Sequence, residues 1–476
     1  MKERDATPLP YLMESTRHMG YSFNTAVADI LDNSIAAKCK NINISWPFES
    51  KSLSILDDGE GMDNNKLFEA MFYGTDPNSP RDPNDLGRFG LGMKVASLSQ
   101  CRCLTVISKK NGQTSCYRWD LDFIKKTLKW TVQELEESEY CDCLQYPALA
   151  KQKSGTLVVW DNIDNLEGKT EVTQDLKTKK HKELGEHLSL VFHRFLHPND
   201  SSKKITITLN TFPLKAADPF MRDPRYKRSK VVGEENPIIN GHKFRVKSYV
   251  LPRFSELDPS YISLKHLTPK SYYDSQGLYI YRNRRLISYA RWYALESKGE
   301  LQKTARILVD IPTINDAEWG IDVKKSQAVI PPMFVSEIKK LVNRTIEESE
   351  KPAKHRARKE ASGEHIGMWT RTTEDNITTY RINRENPVIR SFESTLEPDQ
   401  KLIFKAIMQS IANDMPVSRV YLDRCNDTAL GKDSVEYDSL NLIRDKLLEG
   451  GTSEDSLKNI TIFSDNEEFL KELEDW

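Results

Sequence analysis

A chain of 476 residues is too long for one ordinary hydrophobic core and suits roughly two to four domains. With 38% hydrophobic and 29% charged residues it has the make-up of a soluble globular protein. A net charge of −1 excludes a global electrostatic field for nucleic acid, leaving only local basic patches. No apolar run approaches the roughly 18 residues a membrane helix needs, and the first residues lack a secretory core. Seven cysteines, an odd number, point to a reduced cytoplasmic protein.

Residues 11–19 read as a short helix closed by Gly20, and Ser22 as the N-cap of the next helix. That helix sets Ala26, Ile30, Asn33 and Ala37 at helical spacing, with Asp29 and Asn33 one turn apart on one face. Residues 41–46 and 52–56 read as paired strands, the second ending in Asp57-Asp58-Gly59-Glu60-Gly61-Met62. A carboxylate at a strand end followed by glycines suits the edge of a nucleobase. The carboxylate accepts from an exocyclic amine, and the glycines let a ring lie against backbone. A helix near 67–73 leads to residues 74–86, which contain Pro77, Pro80 and Pro83 and are long enough to read as a lid.

The lid ends at Gly87-Arg88-Phe89-Gly90-Leu91-Gly92-Met93-Lys94, which enters a helix over 95–100. Glycines ahead of a helix N-terminus offer several N–H groups to phosphate oxygens. The run is not a Walker A loop, because Met93 stands where that motif needs lysine, and its glycine order is not the dinucleotide fingerprint. Strands follow at 103–108, 115–120 and 155–160, the last opened by Ser154-Gly155-Thr156. Cys101/Cys103 and Cys141/Cys143 form two Cys-x-Cys pairs, whose spacing is not that of a zinc knuckle. His181, His187, His193 and His197 lack the spacing of a metal helix, so residues 181–197 read as an amphipathic packing helix.

A strand-rich region begins at 204. In it Tyr281-Arg282-Asn283-Arg284-Arg285-Leu286-Ile287 is a strand, a tight polar turn and a second strand, and 319–326 is a further strand carrying Lys324 and Lys325. A helix over 332–350 leads to a basic linker, 351–365. Residues 366–476 read as a small α/β unit with strands near 378–382 and 460–463 and helices near 398–412 and 439–448. Basic residues gather at Arg222, Arg225, Lys227 and Arg228, at Arg282, Arg284 and Arg285, and along 351–359. Such patches are candidates for phosphate contacts with DNA.

Taken in order, the four elements of the first 160 residues resemble the Bergerat-fold (GHKL) ATPases: gyrase B, the large heat-shock chaperone, histidine kinases and MutL. The resemblance implies an α+β fold: a Bergerat-fold ATP-binding domain over 1–203, a ribosomal-S5-like transducer over 204–350, and a C-terminal unit that matches no family. It implies ATP and Mg²⁺ as ligands, with Asn33 on the metal and Asp29 as general base. Asp57 would meet adenine, together with Gly59, Gly61, Met62 and Thr156, while Gly87, Gly90, Leu91, Gly92, Met93 and Lys94 would approach the nucleotide. The base position usually holds Glu, so Asp29, one methylene shorter, implies slow hydrolysis. The Tyr-Arg-Asn-x-Arg-Leu-Ile turn is most similar to MORC proteins and their prokaryotic relatives, in which a transducer lysine, here Lys325 or Lys324, reaches the γ-phosphate. That likeness implies an ATP-dependent homodimer acting on DNA within a defence or restriction system. The alternatives are a topoisomerase- or MutL-like subunit, or a scaffold that holds ATP with little turnover.

Overall fold

The computed structural model describes residues 12–17, 20–73, 92–166, 173–198, 204–223, 229–239, 242–259, 261–262, 268–299, 302–312, 319, 328–361, 366–374, 377–416, 435–466 and 468–471. The chain forms two compact units, Met1–Ser349 and Glu350–Trp476.

In the first unit the helices are α1 (Leu12–Thr16), α2 (Phe23–Ala36), α3 (Asn64–Ala70), α4 (Gly92–Gln100), α5 (Leu121–Thr127), α6 (Glu137–Tyr140), α7 (Tyr146–Lys151), α8 (Gln174–Val191) and α9 (His193–Leu196). The strands β1 (Asn41–Ser45), β2 (Leu53–Asp57), β3 (Cys101–Lys110), β4 (Gln113–Asp120), β5 (Gln133–Glu134), β6 (Gly155–Ile163), β7 (Thr206–Leu209) and β8 (Phe212–Pro213) make one mixed sheet, ordered β5-β4-β3-β6-β2-β1-β7-β8.

The alternation along each strand divides two cores. Ile55, Val106, Val158 and Trp160 face α2, α4 and α8, while Leu56, Ile107, Leu157 and Val159 pack under Tyr140, Tyr146 and Leu149. Helix α2 starts where the sequence places its cap: Ser22 Oγ accepts from Thr25 N and Thr25 Oγ1 from Ser22 N. It buries Phe23, Ala26, Val27, Ile30 and Leu31, each large apolar side chain contributing roughly 1.5–3 kcal/mol. The antiparallel register Ile44↔Ile55 and Ile55↔Val158 puts β2 in the middle of the sheet, so Asp57 at its end is held on both sides.

The boundary expected at 203/204 falls inside this sheet. β7 pairs in parallel with β1, Ile42 opposite Ile207, because Ile207 and Leu209 complete the same core. A second sheet, ordered β14-β13-β15-β12-β9, is built from β9 (Lys230–Glu235), β12 (Arg245–Val250), β13 (Gly277–Arg282), β14 (Arg285–Arg291) and β15 (Ala305–Ile311); β10 (Ile238–Ile239) and β11 (His242–Lys243) form a separate pair. One face packs on Phe334, Ile338, Leu341, Val342 and Ile346 of the helix Pro332–Ala361. The opposite face, with Tyr249, Tyr279, Tyr281 and Leu308, has Leu190 of α8 packed against it.

That helix replaces the linker expected at 351–365. It starts at Pro332 and runs through Pro352 to Ala361, because Lys, Ala, Arg and Glu after Pro352 are strong helix formers; residues 362–365 lie outside the described residues. In the second unit β16 (Trp369–Glu374) and β17 (Ile377–Ile382) form a hairpin, with the helix Pro398–Asn413 against β17, while the helix Pro387–Thr395 packs on Tyr437–Glu449. The strand expected at 460–463 is a short helix, Thr461–Ser464. Leu457, Ile460 and Phe463 recur at a spacing of three, which brings them all into one core with Leu440 and Phe469 as a strand would not.

Candidate nucleotide site

Asp57 ends the fully buried strand β2, and its carboxylate is surrounded by donors. Oδ1 accepts from Gly59 N at 2.9 Å and Thr156 N at 3.2 Å, and Oδ2 from Ser34 Oγ at 2.8 Å. Burial raises the carboxyl to about 6, against the lowering effect of those three donors. Ser108 Oγ ties the wall together, accepting from Met62 N and bonding Thr156 Oγ1, both at 2.9 Å. Gly61 permits the turn: it sits at φ +66°, and a Cβ there would lie 2.0 Å from Lys109 O.

Across from this wall, α2 carries Asp29, Asp32 and Asn33. Asp29 is buried, and Tyr21 Oη donates to its Oδ2 at 3.0 Å. A Cβ on Gly92, at the start of α4, would lie 3.7 Å from the same oxygen. Gly92 and the acidic helix, about sixty residues apart in sequence, therefore meet. Asn33 is exposed. The donor set fits a magnesium nucleotide. A single hard amide oxygen suits Mg²⁺, which takes most of its other ligands from phosphates and water, and a desolvated acceptor at a strand end suits an amino-purine edge. Among the described residues no group of three His, Cys, Asp or Glu could hold a metal by itself, and Cys101, Cys103, Cys141 and Cys143 are free thiols.

Several expected residues are placed differently. Lys94 is buried, its Nζ donates to Ala70 O at 2.8 Å, and burial lowers it to about 8; it therefore fastens the end of α3 and does not project toward phosphate. Met93 is half-buried against the core of α2 and α4. The turn arginines are not a surface patch. Arg282 and Arg285 are buried, Arg285 Nε donates to Asp32 Oδ1 at 3.0 Å, and Arg284 donates to Arg194 O beneath the Phe195 ring. Arg222 is held in a two-pronged ion pair with Asp218. The lid 74–86, Gly87, Gly90, Leu91, Lys324, Lys325, Arg225, Lys227 and Arg228 lie outside the described residues.

Sequence reasoning missed Ser34, Ser108 and Tyr21. Ser34 had a signal, since it follows Asn33 on the motif helix; Ser108 and Tyr21 reach the site only through the fold. Among the histidines, His193 is buried and its Nε2 bonds Tyr281 Oη at 2.8 Å, a packing role as expected. A separate cavity of about 130 Å³ beside Trp46, Phe48, Ile163 and Lys177 shares no residue with this site.

The mixed sheet with helices on both faces, a buried aspartate at a strand end and an acidic helix across from it make an α+β domain with the geometry of a nucleotide site. Residues 21–156 match the family of histidine kinase-, DNA gyrase B-, and HSP90-like ATPases. The match runs from Tyr21, which binds Asp29, to Thr156, which binds Asp57. No curated protein matches the chain. Among the described residues no helix is long and apolar enough to cross a membrane.

Proposed function

We propose that the chain is a slow ATP hydrolase of the MORC- and MutL-like type, in which ATP drives closure of two copies around a client. The observation that carries this reading is the pairing of a pre-arranged base-edge acceptor, Asp57, with a helix bearing Asp29 and Asn33. Asp29 would accept the proton of the attacking water, Asn33 would help hold Mg²⁺, and the bound metal supplies charge neutralisation on the phosphates. Residues 74–86 would close over bound ATP as a lid, and Lys325 or Lys324 of the transducer region would report the γ-phosphate. Duplex DNA in a prokaryotic defence or restriction system is the proposed client. Arg282 and Arg285 are buried and half-buried Arg284 is tied to Arg194 O, so the turn is not its contact; Arg225, Lys227, Arg228 and the basic run 351–359 stay the candidates.

The test is light scattering with and without a non-hydrolysable ATP analogue, alongside ATP turnover with and without duplex DNA. The reading expects doubled mass with the analogue and DNA-stimulated turnover; an unchanged mass refutes the switch, and unchanged turnover moves the client from DNA to protein. A second reading, a scaffold that holds ATP with little hydrolysis, is favoured by the short Asp29 side chain and its Tyr21 hydrogen bond.

A further inference from the structure

The turn between β13 and β14 grips the motif helix of the nucleotide site. Asn283 and Arg284 both have positive φ, 45° and 69°, which makes a tight two-residue hairpin and presents Arg285 at its exit. Arg285 Nε donates to Asp32 Oδ1 at 3.0 Å, spanning 253 residues of sequence, with the two side chains 3% and 0% exposed. Its guanidinium lies 4.7 Å from the Phe192 ring centroid, and Nη1 donates to Leu286 O at 2.6 Å. Neighbouring contacts hold the hairpin on the junction of α8 and α9. Arg284 lies over Phe195, Arg194 makes a two-pronged ion pair with Asp310 and lies over Tyr281, and His193 bonds Tyr281. His187 of α8 is pushed down to about 3 by burial and by the Arg285 charge, so it faces Arg285 as a neutral ring.

Asp32 is one turn from Asp29 and adjacent to Asn33, so a bond that fixes Asp32 also fixes the rotation of α2 about its axis. A buried ion pair is a poor device for stability alone, because an apolar pair of similar volume is commonly as stable or more so. What it does supply is a directional, single-register link.

We propose that Arg285 is a positioning residue for ATP hydrolysis: through Asp32 it sets the orientation of Asp29 and Asn33, so the second sheet controls turnover and not nucleotide affinity. This rests on the ATPase reading above, and the experiment separates the two. Turnover and analogue affinity of the full chain are measured with thermal unfolding for wild type, Arg285→Lys, and the double variant Asp32→Leu/Arg285→Met. The double variant removes both charges, so its unfolding temperature should return close to wild type while kcat falls at least tenfold and analogue affinity stays within threefold. Arg285→Lys keeps the charge but loses the planar contact with Phe192, and should retain affinity with an intermediate kcat. Wild-type kcat in a folded double variant, or loss of affinity in step with kcat, overturns the positioning role. Should the double variant not fold, Arg285→Lys decides alone: unchanged kcat overturns the proposal. Absence of turnover in the wild type is a different result, which removes the hydrolase reading itself.

Discussion

Replacing Asp57 by Asn separates the base-binding role of this carboxylate from its part in folding. Two backbone N–H groups converge on Oδ1, so the amide oxygen of the variant is pinned there and its NH₂ takes the place of Oδ2. Ser34 Oγ can turn to accept from that NH₂ while its own O–H donates to the helix carbonyl four residues earlier, at Ile30, so no buried donor need be orphaned. The wild-type carboxyl is raised from 3.8 to about 6 by burial, which means the folded chain binds its proton more tightly than the unfolded one. Stability from this group is therefore greatest below pH 4 and falls as pH rises to about 6, by on the order of 3 kcal/mol. At pH 8 the variant is free of that penalty, so its unfolding temperature should equal or exceed that of wild type. ATP, in contrast, meets a donor where it needs a charged acceptor. The loss of roughly 1.5–3 kcal/mol predicts affinity about ten- to more than a hundredfold weaker. Calorimetry with a non-hydrolysable analogue, beside thermal unfolding at pH 8, reads both quantities. An unchanged dissociation constant in a normally folded variant would refute the assignment of Asp57 to the base edge.

Wild-type affinity for the analogue should drop as pH falls through about 6, where Asp57 becomes protonated, and the Asp57→Asn titration should lack that step. Asp29→Asn should retain nucleotide affinity while turnover falls by roughly 10²–10⁴, the contribution of a general base; steady-state hydrolysis at the wild-type rate would dismiss Asp29 from that role. Gly61→Ala places a Cβ 2.0 Å from Lys109 O, whereas Gly112→Ala, also at positive φ, meets nothing within 4 Å. Both carry a left-handed backbone cost of roughly 1–2 kcal/mol, but only Gly61→Ala should lower the unfolding temperature further and weaken ATP binding.

What the sequence revealed was mostly local. The Ser22 cap, the periodicity of α2 and the alternation of β1 and β2 follow from rules that act over a few residues, and they place Asp29, Asn33 and Asp57 correctly on their elements. The turn of β13 and β14 was also legible, since Asn283 tolerates positive φ. The fate of its arginines was not. A guanidinium reads as a surface charge until a partner such as Asp32 is brought to it from the far end of the unit, and nothing in the spacing of 282–285 encodes that partner. Ser108 illustrates the same difficulty at the nucleotide site: it joins Met62 and Thr156 only because β3 and β6 lie side by side in register.

The arrangement of the first sheet decides how this protein can be cut. Its outermost strands, β5 and β8, are two residues each, the latter ending in Pro213, which cannot donate to a further strand. Such short borders offer little backbone for another chain to join. An excised ATP-binding piece stopping at residue 203 would lose β7 and β8 and lay bare the flank of β1 along Asn41–Ile44. That flank is longer than either natural border, and Ile42 and Ile44 beside it would lose Ile207 and Leu209 from their core. Such a fragment should self-associate by strand addition, whereas a piece carried past Pro213 keeps its sheet closed to neighbours.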